Sequence, residues 1–216
     1  MMEIRKINVP FEIKSMGISF YLPIVGLIFL LFFNYTDSGP DFVRKLSLFI
    51  EFIICPMAAW WCSYLFLDYY EEDLEEILFT YPVSMLFHGI LRVFVFLSLY
   101  LLGFFIVMIA ISLTHETMLL KTQVIQYFPQ CILYAAIGFF LMIAFGNIIV
   151  PILSITGYSA AKYFTGGSEL FPIYNIMAFE FDNASQYLLD KFIPNILLAL
   201  LLFGLGHVIL LKRNKV

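Results

Sequence analysis

Long apolar runs separated by short polar stretches set the pattern of this chain. The runs fall at about 18–35, 46–67, 93–113, 129–145, 148–164 and 192–211. A helix of about 20 apolar residues crosses the hydrocarbon core of a bilayer, so the pattern predicts an all-α integral membrane protein with six transmembrane helices. The first run is too long for the apolar part of a secretory leader and has no small-x-small cleavage site, so it is read as a span. Breaker residues mark the connections. Asp37, Gly39, Pro40 and Asp41 sit between the first two runs, and His115, Glu116 and Lys121 lie in a polar stretch at 114–126. Gly146-Asn147 is the plausible hinge between two short helices, with Pro151 in the first turn of the second, where its missing N–H costs little. One bent helix over 127–164, giving five spans, is the alternative.

Three stretches outside the runs carry their own pattern. Residues 1–17 mix Glu3, Arg5, Lys6, Glu12 and Lys14 with apolar residues, which predicts an amphipathic N-terminal helix lying along the membrane surface. Residues 165–191 combine Gly166, Gly167, Pro172, Glu169, Glu180, Asp182 and Asp190 with aromatic residues, which suggests short half-inserted helices before the last span. Residues 68–84 are sharply acidic. There Leu74, Ile77, Leu78 and Tyr81 recur at i, i+3, i+4 and i+7, one apolar stripe of a helix. Glu71, Glu72, Glu75 and Glu76 gather opposite the stripe, and Pro82 ends the helix. Ser84 is placed to cap the next helix. The pattern suits a docking helix or, equally, a solvated loop that keeps two spans in register.

Composition agrees with the membrane reading: 62% of the 216 residues are hydrophobic and 13% are charged. A soluble domain carries about a quarter charged residues, so a cytosolic enzyme, a nucleic-acid binder and a disordered tail are excluded. Lys and Arg resist translocation. With an even number of spans, one side holds Arg5, Lys6, Lys14, Arg92, Lys212, Arg213 and Lys215, and the other Arg44, Lys45, Lys121, Lys162 and Lys191. This predicts a multi-pass plasma membrane protein with both termini cytoplasmic. Cys55, Cys62 and Cys131 lie in apolar runs without metal-type spacing and are expected to be buried thiols.

The run Glu75-Glu-Ile-Leu-Phe-Thr-Tyr-Pro-Val-Ser84, with Arg92 at the start of the next apolar helix, resembles the loop after the second span of ABC-2 type permeases, the membrane subunits of ABC exporters. The resemblance implies that Glu71, Glu72, Leu74, Glu75, Glu76, Ile77, Leu78, Tyr81, Pro82 and Ser84 form a coupling helix seated in a separate P-loop ATPase subunit. It also implies re-entrant short helices before the sixth span, near Leu170-Phe-Pro-Ile-Tyr174, and pairing with a second permease, identical or related. The whole chain, 1–216, is then one transmembrane domain. Met85 stands where the family often has a basic residue, and the coupling segment is unusually acidic, which favours a basic docking face on the partner.

No P-loop run, His-Glu-x-x-His or Glu-Glu-x-x-x-Arg occurs, so this chain is not expected to be an enzyme or to hold a metal or cofactor. ATP and Mg would be bound by the partner. Ionisable residues inside spans are candidates for a transport path or for pairing. Glu51 either lines such a path, pairs with a cation such as Arg44 or Lys45, or reaches the interface. His207 is an interfacial histidine or a proton relay, and Arg92 snorkels or meets the acidic segment. Trp60, Trp61, Tyr64, Tyr69 and Tyr70 are expected in an aromatic belt. The oily, Phe-rich spans point to an amphipathic or hydrophobic export substrate such as a peptide, antibiotic or lipid. A non-transporting immunity, sensory or scaffold protein of the membrane is the alternative.

Overall fold

The computed structural model describes residues 8–36, 39, 41–71, 87–115, 120–165, 174–177 and 184–213. Among them the chain is helical, without strands. The order is α1 (Val9–Met16), a 3₁₀ turn (Gly17–Phe20), α2 (Tyr21–Thr36), α3 (Phe42–Phe49), a π-turn (Ile50–Ile54), α4 (Cys55–Tyr64) and α5 (Leu67–Glu71). After residue 86 come a second π-turn (Phe87–Leu91), α6 (Arg92–Thr114), α7 (Leu120–Phe145), α8 (Ile149–Phe164) and α9 (Ala184–Arg213).

Five stretches are long and apolar enough to cross a membrane: Val9–Thr36, Phe42–Tyr64, Gly89–Thr114, Leu120–Phe145 and Lys191–Lys212. This is a multi-pass membrane protein by the length and composition of its helices. The fifth expected span, α8, has 16 residues and is not among them. At the α-helical rise it covers about 24 Å, less than the ~30 Å hydrocarbon core. Gly146 separates α7 from α8 with φ +64°, a left-handed conformation that glycine adopts without a Cβ penalty. The break is therefore a turn between two helices rather than a bend in one.

Side-chain contacts show which helix ends lie together. Ser15 meets Asp68, Glu12 meets Arg92, Tyr70 reaches the Ile143 carbonyl, and Leu210 lies beside Gly89. At the opposite end Asn34 bonds Thr114 at 2.9 Å, Phe42 stacks on His115, and Lys191 reaches the Asn175 carbonyl. Both α1 and the end of α9 thus belong to one end of the bundle, and α8 carries the chain from that end back toward the other. The core lies where α4, α6 and α9 close around α7. It includes Tyr100, Tyr127, Tyr134, Phe96, Phe104, Phe139 and Phe203, all 2% exposed or less. Gly138 lets α4 and α7 approach: a Cβ there would sit 2.8 Å from Ala59 Cβ and 2.9 Å from the Ala59 carbonyl oxygen.

Several boundaries differ from the sequence reading. The polar stretch before the fourth span is helical from Leu120 onward, because Gln126 bonds the buried Glu51 instead of water. Described residues 174–177 form no helix, yet Ile176 and Met177 are buried. Residues 184–191, expected among the half-inserted short helices, are the opening turns of the continuous helix α9. Trp61 is not part of an aromatic belt. It is 5% exposed, stacks on Phe20 at 4.8 Å, and donates its indole N–H to the Phe20 carbonyl at 2.8 Å. Cys55, Cys62 and Cys131 are free and buried, as expected.

Candidate functional site

Two buried polar arrangements stand out in an otherwise apolar bundle. The first is at the end from which the acidic segment emerges. Gly17 closes α1 at positive φ, making the turn between α1 and the 3₁₀ segment that leads into α2. That turn lets Glu12 pair with the Arg92 guanidinium at the start of α6. Both side chains are sequestered, at 11% and 6% exposure. Arg92 also donates to the Tyr69 hydroxyl and lies over the rings of Phe66 and Tyr69, at 5.7 and 5.1 Å. One turn further along α1, Ser15 bonds the Asp68 carboxylate. Burial pushes the Tyr69 phenol above its ordinary value, with the Arg92 charge opposing the rise. Breaking one side of such a pair strands a buried charge, so these contacts hold α1, the end of the second span and the start of the third as one unit.

Arg92 therefore does not snorkel. It meets the first residues of the acidic stretch through Tyr69, and its charge is matched by Glu12. Residues 72–86 lie outside the described residues, and with them Glu72, Leu74, Glu75, Glu76, Ile77, Leu78, Tyr81, Pro82 and Ser84. Glu71 is the last residue of α5. His207 projects toward Gly89 in the second π-turn, and its Nδ1 is buried without a hydrogen-bond partner among the described residues.

The second arrangement is a seam along α7. Pro56 provides no N–H to residue 52, and its ring would clash with that carbonyl in a regular helix. The π-turn at Ile50–Ile54 relieves the conflict by widening the coil just before the proline, as single π-turns do inside α-helices. Glu51 sits in this wide turn with 0% exposure. Its Oε1 accepts from Gln126 Nε2 and Gln130 Nε2, both at 3.1 Å. Ser47 lies beside Tyr127 one turn earlier, and Cys55 beside Cys131 one turn later. Glu51 does not reach an interface, and neutral amides rather than Arg44 make these two bonds. Gln123, Gln126 and Gln130 escaped the sequence reading, although their i, i+3, i+7 spacing opposite a membrane glutamate was a readable signal.

No known family model matches the chain, and neither curated proteins nor solved structures provide a match. Among the described residues no group of His, Cys, Asp or Glu is arranged to hold a metal ion.

Proposed function

We propose that this chain is the membrane permease subunit of an ATP-driven exporter of the ABC-2 type. It pairs with a second permease, identical or related, and with two separate ATPase subunits in the plasma membrane. Both termini face the cytoplasm. In this reading α8 and the residues after it complete a sixth crossing. The cargo is an amphipathic or hydrophobic molecule such as a peptide, antibiotic or lipid.

One observation carries the reading: the acidic segment is anchored on both flanks to the same helix. It enters at Asp68, bonded to Ser15, and the chain re-enters the bundle at Arg92, paired with Glu12. A displacement of residues 72–86 by a docked ATPase would pull on α1 and on the second and third spans together. Free loop ends would dissipate the same motion. The ten-residue resemblance to coupling segments supplies the identity of the partner, and no matched relative does.

Affinity purification of the full chain from its own cells should recover a P-loop ATPase, and Leu78→Asp or deletion of residues 75–81 should release it. Basal ATPase turnover in vesicles should depend on the permease and be lost with the same changes. An ATPase that stays bound to both variants overturns the coupling assignment. Recovery of no ATPase from native membranes overturns the exporter reading.

A further inference from the structure

The short helix α5 reaches three separate parts of the bundle with three successive residues. Successive side chains of a helix point about 100° apart, so Asp68, Tyr69 and Tyr70 leave it in different directions. Asp68 accepts from Ser15 of α1, and Tyr69 accepts from Arg92 at the start of α6. Tyr70 points to the turn between α7 and α8. Its ring lies against Gly146, where a Cβ would sit 3.0 and 3.2 Å from two ring carbons. Its hydroxyl donates to the Ile143 carbonyl at 3.4 Å.

The turn itself is bonded on both sides. Gly146 still donates to the Met142 carbonyl at 2.8 Å, and the next carbonyl, that of Ile143, lies past the last helical donor. Beyond the turn, Asn147 holds the start of α8 by accepting from the Ile149 N–H at 2.8 Å. A shift at Gly146 therefore moves the first turn of α8 with it. Toward its other end α8 is held, because Tyr158 donates to the Tyr174 carbonyl at 3.0 Å and accepts from the Ile176 N–H at 2.8 Å. Between these attachments α8 has free volume on two flanks. A cleft of about 200 Å³ lies between it and the second span, lined by Pro56, Trp60, Pro151 and Ile155. Another of about 380 Å³ lies between it, α7 and α9, lined by Ile137, Ser154 and Leu198.

We propose that Tyr70 is a positioning residue through which the Glu12–Arg92 joint sets the tilt of α8. Arg92 fixes α5 through Tyr69, α5 sets Tyr70 against Gly146, and the bonded turn passes that position to α8. Chains of packed side chains and rigid helices carry coupling between distant sites, provided that the driven element has room to move. The two clefts supply that room, since helix shifts in such transitions are about 1–2 Å. When the joint is loosened, the end of α8 nearer Gly146 moves about the Tyr158 attachment. The link needs no ATPase, so it stands or falls apart from export.

Distances between nitroxide labels on the full chain in nanodiscs, measured by double electron–electron resonance, test this. The labels are carried by Leu102→Cys on α6 and Leu153→Cys on α8, both at exposed positions. Cys55, Cys62 and Cys131 are buried and take no label. Arg92→Met should shift the mean distance by about 1–2 Å. Tyr70→Ala should remove that response, so that adding Arg92→Met to it leaves the distance where Tyr70→Ala alone puts it. Tyr70→Phe, which keeps the ring against Gly146, should keep the response. If Arg92→Met fails to fold, Tyr69→Phe cuts the same joint more gently and should shift the distance with the same dependence on Tyr70. A distance unmoved by both joint variants, a shift that persists in the Tyr70→Ala background, or a response lost equally with Tyr70→Phe would each overturn the link.

Discussion

Glu12 and Glu51 are both buried carboxylates, but the chain accommodates them differently. Glu12 is matched by a guanidinium from a helix 80 residues away in sequence. Glu51 accepts from two neutral amides on one neighbouring helix. An ion pair ties distant elements strongly and is intolerant of losing one member. Amide bonds to a carboxylate leave the pairing of helices to shape, and they tolerate a change in the charge of the acceptor. The two sites thus separate a joint that ties distant elements from a seam that positions helices.

Removing one member of the joint should have the largest effect. Arg92→Met leaves Glu12 unpaired and should cost about 3–5 kcal/mol, read as a fall in detergent unfolding midpoint. Adding Glu12→Gln should recover much of that loss, and no recovery would mean that Arg92 acts through packing alone. In the seam, steric change should matter more than charge. Gly138→Leu drives a side chain into the Ala59 backbone and should cost about 1–3 kcal/mol.

Tyr69→Phe removes only the hydroxyl that accepts from Arg92 and should cost about 1–2 kcal/mol. The folded phenol titrates above its ordinary value of 10.0. Its stabilisation is therefore complete below that pH and is lost as pH rises toward the folded value, and the phenylalanine variant should lack this alkaline limb in a pH series of unfolding midpoints. The smallest effect belongs to Glu51→Gln. The replacement still presents a carbonyl to Gln126 and Gln130, so the midpoint should shift by less than about 1 kcal/mol equivalent. A loss as large as that of Arg92→Met would erase the distinction between the two sites.

The apolar runs made the membrane helices legible, because length and hydropathy are local properties. Gly146-Asn147 was legible for the same reason: the break is written in the residues where it occurs. The Glu12–Arg92 pair was not, since nothing near either residue names the other. The start of α7 was misread because Gln126 looks like a loop residue until its buried acceptor, Glu51, is found. Trp61 was misread because tryptophan near the end of a span fits a belt as well as a core, and only the Phe20 carbonyl decides between them. Of the candidate site, the flanks are visible in the fold, while the resemblance itself rests on residues 75–84.

The wide turn in the second span has a rhythmic consequence. Buried residues come there in pairs at every fourth position: Leu46 and Ser47, Ile50 and Glu51, Ile54 and Cys55, Ala58 and Ala59, Cys62 and Ser63. A regular coil of 3.6 residues per turn would let such pairs precess by about 40° at each step and spiral off their neighbour. One slack turn takes back much of that rotation, so from Ile50 to Ser63 a beat of four stays against α7.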